Sequence, residues 1–177
     1  MAARNASETV GMPRTSLERI SDRELVIART FNGPARIVFD AWTRPELVRR
    51  WWAPQSLGVS IVSCDADVRV GGHYRYVLKP GKGDPIAFSG TYTEITPHTR
   101  LVYSSYFEPD GRPRSSDADP VVVTVTFVEH DGTTRMTARE LYPSREVLDG
   151  AIASGMERGV HVTMDQLEEL VADATTA

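Results

Sequence analysis

The chain has 177 residues, of which 41% are hydrophobic and 25% are charged. This size and composition fit one globular domain and exclude a disordered chain, a collagen-like repeat and a small disulfide scaffold. The net charge of −4 gives no electrostatic reason to bind nucleic acid or an anionic membrane. No segment has the pattern of a secretory leader or a spanning helix, so we expect a cytoplasmic protein with neither nucleic-acid nor membrane partners.

The amino-terminal region is polar and lacks a sustained hydrophobic period. This pattern is typical of a loose terminus, with a turn of helix near Ser16–Ile20. We predict a flexible arm over residues 1–22, one domain over residues 23–173 and a short tail over residues 174–177. The single cysteine, Cys64, excludes an intrachain disulfide and is expected to be a small buried hydrophobic residue.

The predicted domain begins with an extended segment, Glu24–Phe31, which the sequence Asn32-Gly33-Pro34 ends. Pro34 suits the first turn of a helix, because the amide proton that it lacks would have no helical partner there. A second short helix is predicted to begin near Pro45 and to end before Pro54. Two short helices therefore follow the first strand.

The middle of the chain alternates apolar and polar residues, which is typical of half-buried antiparallel strands. In one such segment Tyr74, Tyr76 and Leu78 share one face, while His73 and Arg75 share the other. Turn residues separate the segments. The predicted strands are Val59–Cys64, His73–Lys79, Ile86–Ile95, Arg100–Phe107, Val121–Glu129 and Arg135–Leu141.

After Pro143 the hydrophobic period becomes helical. One long helix is predicted from Ser144 to Ala172, with a bend near Gly150 or Gly155. Its apolar stripe must be buried, and the sheet is the only large apolar partner. The sequence therefore predicts an α+β fold: a curved antiparallel sheet of about six or seven strands, two short helices after the first strand, and a long carboxy-terminal helix packed across the sheet.

Four blocks of sequence match, in order, the pattern of a known superfamily. Over roughly Glu24–Ala172 the chain resembles the START-like (SRPBCC, helix-grip) superfamily, most closely the branch named after the activator of the Hsp90 ATPase. The matching blocks are Phe31-Asn32-Gly33-Pro34 with Val38-Phe39-Asp40-Ala41-Trp42-Thr43, Pro45-Glu46-Leu47 and Trp51-Trp52; Arg69-Val70-Gly71-Gly72 before Tyr74 and Tyr76; Gly90-Thr91-Tyr92 with Glu94-Ile95; and Gly155-Met156 with Gly159, Leu167 and Leu170.

The resemblance implies a helix-grip fold and a function. Relatives with this fold include cyclases and aromatases of polyketide synthesis and hydroxylating oxygenase domains, and homodimers through the sheet edge or the short helices are common among them. The chain departs from the pattern at Val160-His161, where many relatives carry a tryptophan. We expect no counterpart of the amino-terminal domain with which the eukaryotic activator engages the chaperone, so contact with a chaperone is expected less than ligand binding.

A curved sheet that grips a helix leaves a cavity where the facing side chains are small. We interpret the helical glycines either as sites of tight packing against a bulky ring or as openings into such a cavity. Several inward-facing tyrosines would give an apolar wall with polar points, although Tyr103 and Tyr106 cannot both face inward. The candidate ligand-binding residues are Trp51, Trp52, Tyr74, Tyr76, Phe88, Tyr92, Tyr103, Gly155, Met156 and Gly159.

Signals for catalysis are few. The histidines show no metal-binding spacing, so we predict neither a metal site nor a cofactor. His161 on the long helix and Glu140 at the end of the last strand are the candidates for an acid–base pair across the cavity. The first hypothesis is therefore a binding protein for a small hydrophobic or aromatic ligand. The alternatives are a cyclase-like enzyme that uses the same cavity and a modulator of a chaperone ATPase.

Overall fold

The computed structural model describes residues 15–112 and 118–177. In this part of the chain eight strands form one antiparallel sheet, in the order β1-β2-β8-β7-β6-β5-β4-β3. The strands are β1 Ser16–Arg19, β2 Glu24–Phe31, β3 Val59–Ala66, β4 His73–Pro80, β5 Ile86–Thr96, β6 Arg100–Glu108, β7 Val121–His130 and β8 Thr133–Leu141. The helices are α1 Ala35–Thr43, α2 Pro45–Trp51, α3 Arg145–Ala153 and α4 Met156–Thr176.

The two short helices after β2 confirm the sequence prediction. Pro34 stands at the N-cap of α1, and Pro45 stands at the start of α2, where a missing amide proton leaves no helical hydrogen bond unmade. The indole nitrogen of Trp51 donates to the carbonyl oxygen of Ala41 at 2.9 Å and so holds α2 against α1.

The predicted turn of helix near Ser16–Ile20 is wrong, because the chain is extended there. Residues 16–19 form β1, which pairs with β2 in the register Ser16↔Ala28 to Arg19↔Leu25. Edge pairing satisfies backbone groups that a short helical turn would leave to solvent. Residues 16–19 of the predicted arm are therefore a strand, and residues 1–14 lie outside the described part of the chain.

The predicted long carboxy-terminal helix is confirmed by α4, but the predicted start at Ser144 is wrong, because the structure divides that span into α3 and α4. The break is at Gly155, one of the two predicted bends, whose φ of 82° lies in the left-handed region that glycine adopts without steric cost. Ser144 caps α3 by accepting a hydrogen bond from the backbone nitrogen of Val147. At its far end α4 continues to Thr176, so most of the predicted tail is helical.

Helix α4 packs its apolar stripe against the concave face of the sheet and against α1 and α2. Its buried residues are Met164, Leu167, Leu170 and Val171. A second, smaller apolar cluster lies beneath α3 and contains Leu25, Tyr142 and Leu148. None of the helices in residues 15–112 and 118–177 combines the length and hydropathy that a membrane span requires.

Candidate functional site

Four tyrosines project from neighbouring strands onto the concave face of the sheet. The register pairs Tyr74 with Gly90 and Tyr103 with Tyr92, so these inward positions adjoin across β4, β5 and β6. The ring of Tyr74 lies 5.0 Å from that of Tyr76, 5.6 Å from that of Tyr92 and 5.5 Å from that of Tyr103, between centroids. We call Tyr74, Tyr76, Tyr92 and Tyr103 the tyrosine cluster.

Tryptophans of α1 and α2 extend this aromatic packing. The ring of Trp52 lies 5.2 Å from that of Tyr76 and meets it edge to face, while Trp42 approaches Trp52 at 5.9 Å. Such edge-to-face contacts stabilise a pair of rings by roughly 0.5–1.5 kcal/mol beyond the burial of their area. The tyrosine cluster is thereby packed against both short helices.

The space between these rings is almost filled. A cavity of about 10 Å³ remains, which is close to the room that one water molecule needs. The structure thus favours packing over an open cavity as the state of the interior without a ligand. The cavity is lined by Trp42, Trp52, Tyr74, Tyr76, Tyr92, Leu101 and Tyr103.

One polar group beside this cavity has no partner among the described residues. Trp42 is only 8% exposed, and its buried indole nitrogen makes no hydrogen bond with any described residue. An unsatisfied buried donor costs about 1–3 kcal/mol. The interior therefore contains an unsatisfied donor on a residue that lines the cavity.

The hydroxyl groups of the tyrosine cluster remain protonated at neutral pH. Burial raises the pKa of Tyr74, Tyr76, Tyr92 and Tyr103 above its ordinary value of 10.0. The hydroxyl of Tyr74 donates to the carbonyl oxygen of Ser104 at 3.1 Å. The wall is thus apolar in area and carries neutral groups that donate and accept hydrogen bonds.

The two candidate catalytic residues are not paired with each other. The carboxylate of Glu140 accepts a hydrogen bond from the hydroxyl of Tyr142 at 2.7 Å. His161 has its Nε2 atom 3.8 Å from the carboxylate of Glu157, one turn earlier on α4, and its side chain is 45% exposed. The predicted acid–base pair is therefore absent from the described residues, because helix α4 directs His161 toward solvent.

Of the predicted ligand-binding residues, five line the cavity: Trp52, Tyr74, Tyr76, Tyr92 and Tyr103. Trp51 is buried beside them, and its ring lies 5.2 Å from that of Trp52. Phe88 faces the same side of the sheet but contacts the exposed ring of Phe107 at 5.3 Å, outside the cavity lining. Trp42 and Leu101 also line the cavity and were not predicted, although their apolar positions on α1 and β6 could have indicated them.

The structure supports neither interpretation of Gly155 and Gly159, since no bulky ring among the described residues packs tightly against them and neither lines the cavity. A methyl group at Gly155 would meet no atom within 4 Å, and one at Gly159 would reach only Pro54, at 3.9 Å. Gly155 serves the break between α3 and α4 instead. Met156 follows that break, and its sulfur lies 3.9 Å from the hydroxyl of Tyr142.

Glu140 gives the fold a specific pH dependence. Burial raises the pKa of this carboxyl above 4.5, and the hydrogen bond from Tyr142 opposes the shift. A group with a raised pKa binds more protons in the folded state, so its contribution to stability is lost as pH rises from 4.5 through the folded value. We expect wild type to lose stability relative to Glu140→Gln over this range, in urea unfolding at several pH values.

The groups around Glu140 allow this test to be interpreted. Tyr74, Tyr103 and Tyr142 interact with it and have pKa values above 10.0, so they remain neutral through the range. Across the strands Leu25 lies between Glu140 and Arg19, and Arg19 forms an ion pair with Asp149. A stability difference that stays constant with pH would contradict the assignment of a raised pKa to Glu140.

A curved antiparallel sheet closed over a carboxy-terminal helix, with an aromatic interior between them, defines a helix-grip domain of the START-like (SRPBCC) class. The family model described as activator of Hsp90 ATPase homolog 1-like protein matches residues 32–172, and the chain belongs to that family. The comparison with curated proteins gave no match.

Solved structures of similar proteins share this fold. Protein NE0264 from Nitrosomonas europaea is 25% identical, with a TM-score of 0.76 over 89% of this chain and 99% of that one. Ms6760 from Mycobacterium smegmatis is 25% identical, with a TM-score of 0.77 over 90% and 97%. A protein from Staphylococcus epidermidis is 26% identical, with a TM-score of 0.75 over 90% and 94%.

Proposed function

We propose that this protein binds a small hydrophobic or aromatic molecule between the concave face of the sheet and the helices. The observation that carries the proposal is the buried, unpartnered indole nitrogen of Trp42 beside a cavity lined by the tyrosine cluster. Small-molecule sites combine apolar walls with a few placed polar groups. This interior has that composition, and family membership agrees with a ligand-binding role.

Binding requires the interior to enlarge, because a cavity of about 10 Å³ cannot hold an organic ligand. Trp52 is the lining residue that is partly exposed, whereas the other lining residues are buried. It stands at the C-terminal end of the short helix α2. We therefore assign Trp52 as the ring that moves when a ligand enters, a shift to a minor conformation that the ligand stabilises.

A substitution that fills the cavity tests the proposal. Leu101→Phe adds volume at a residue that is 1% exposed and lines the cavity. We expect it to weaken binding of the fluorescent probe N-phenyl-1-naphthylamine about tenfold or more, since the added ring occupies the space that the probe needs. The measurement is a titration of probe fluorescence, with circular dichroism to verify folding.

The matched control introduces the same ring one position further along β6. Val102 pairs with Thr124 and faces the opposite side of the sheet from Leu101, which pairs with Val125 in the core. Val102→Phe should leave probe affinity within about twofold, because its side chain lies on the face of the sheet opposite the cavity. Equal affinity for wild type and both variants, or no saturable binding by wild type, would overturn the proposed function.

The family description also favours a second candidate, modulation of a chaperone ATPase. This activity would require contact with the chaperone by the outer surface of the domain. It is tested by measuring the ATPase rate of an Hsp90-type chaperone with excess purified protein. A saturable change in rate would support this candidate, and an unchanged rate would remove it.

A further inference from the structure

Glu140 lies in the same row of the concave face as the tyrosine cluster. The register aligns Leu25 with Glu140, Glu140 with Val123, and Val123 with Tyr103 across four neighbouring strands. Strands are spaced about 4.8 Å apart, so Glu140 and Tyr103 stand about 10 Å apart at their backbones. Val123 lies between them in this row.

Glu140 differs from the other charged side chains that face inward on the described strands. Its hydrogen-bond partner is the neutral hydroxyl of Tyr142, and no cation within the described residues balances it. The others have charged or backbone partners: Arg19 with Asp149, Arg29 with Asp165, and Glu129 with the backbone nitrogen of Ala35. A buried carboxylate requires a cation or a proton to balance its charge.

We propose that Glu140 and Tyr142 form the polar end of the binding site and receive the ammonium group of an aromatic or otherwise hydrophobic amine. This assignment rests on the proposed function, since it supposes that a ligand occupies the interior. The aromatic part of the ligand then packs against the tyrosine cluster, while the ammonium group donates to the Glu140 carboxylate. The hydroxyl of Tyr142 remains a second donor to that carboxylate.

Burial raises the pKa of Glu140 and so disfavours its charged form in the absence of a ligand. An ammonium group beside the carboxyl favours the charged form. Where the carboxyl carries a proton, that proton goes to solvent when an ammonium ion binds and to the amine nitrogen when a free amine binds. Both routes end in the same charge-assisted pair.

Three probes that share a naphthalene ring test the inference: 2-naphthylmethylamine, 2-naphthylmethanol and 2-naphthoate. Their affinities are measured at neutral pH by isothermal titration calorimetry. We expect wild type to bind the amine about tenfold more tightly than the alcohol, and the carboxylate more weakly than either. The reason is that a hydrogen bond to a charged partner is stronger than a neutral one, whereas two negative charges repel.

The test variant is Glu140→Gln, which keeps the shape and the acceptor oxygen for Tyr142. It should abolish the preference for the amine, because the amide cannot become the counter-ion of the ammonium group. Glu129→Gln is the control, since Glu129 lies on the same face of the sheet but is exposed and accepts from the backbone nitrogen of Ala35. This control should retain the preference for the amine.

The outcomes separate the inference from the proposed function. If the alcohol binds but the amine has no advantage, or if Glu140→Gln keeps that advantage, the assignment of Glu140 is overturned while the ligand-binding function stands. If none of the three probes binds wild type, the proposed function itself is contradicted. Circular dichroism and urea unfolding at neutral pH verify that both variants are folded.

Discussion

Gly90→Ala is expected to destabilise the protein by about 3 kcal/mol or more, because it overpacks a closed interior. A methyl group at this position would lie 1.7 Å from the carbonyl oxygen of Ser104 and 2.9 Å from the ring of Tyr74. The same oxygen accepts the hydroxyl proton of Tyr74, and the backbone nitrogen of Thr91 donates to the Ser104 hydroxyl. The backbone of β6 therefore cannot withdraw without breaking bonds that position the tyrosine cluster.

The measurement is equilibrium unfolding in urea, and Gly150→Ala is its matched control. Gly150 lies inside α3, where a methyl group would meet no atom within 4 Å. The same substitution there should raise stability by about 0.5–1 kcal/mol, the usual advantage of alanine over glycine in a helix. Similar changes for the two variants would show that Gly90 is not constrained by close approach of β6.

The second large effect is expected from the double variant Asp165→Asn, Glu168→Gln. These two side chains of α4 face Arg29, whose side chain is 7% exposed on β2. Removing both carboxylates leaves the buried guanidinium without a counter-charge, and we expect a loss of about 2–3 kcal/mol, since Asp165 is 69% exposed and its charge is partly screened by solvent. Because the ion pairs join α4 to the sheet, the helix should also lose protection against amide hydrogen exchange.

Asp173→Asn is the control for this variant on the same helix. Asp173 pairs with Arg50 at 3.5 Å, and both side chains are more than half exposed. Exposed pairs contribute about 0–1 kcal/mol, so this substitution should change stability little. Urea unfolding of the three proteins provides the comparison. A double variant as stable as Asp173→Asn would show that Arg29 does not depend on α4 for its counter-charge.

The strands could be predicted from sequence because their alternation is strong and their turns are explicit. The inward faces of Tyr74, Tyr76 and Tyr92, and the opposite faces of Tyr103 and Tyr106, follow from the period of two residues, and the register confirms them. Strand β1 was missed because its four residues, Ser16–Arg19, are too few to show such a period. It forms because the edge of β2 offers backbone partners, a tertiary effect.

The candidate site could be predicted only in part. The five predicted rings that line the cavity come from the period of the strands and from the Trp51-Trp52 pair. The filling of the interior depends on the rotamers of those rings, which no residue pattern specifies. The sequence placed Gly155 within one helix because the apolar period continues on both sides of it. Its left-handed backbone instead separates α3 from α4.

The most direct test of the central claim is a crystal structure of the protein with 2-naphthylmethanol. The account predicts density for the naphthalene ring between Trp42 and the tyrosine cluster, with Trp52 displaced and the probe hydroxyl within hydrogen-bond distance of the Trp42 indole nitrogen. A structure in which these rings keep their positions and the probe lies only on the outer surface would contradict the account.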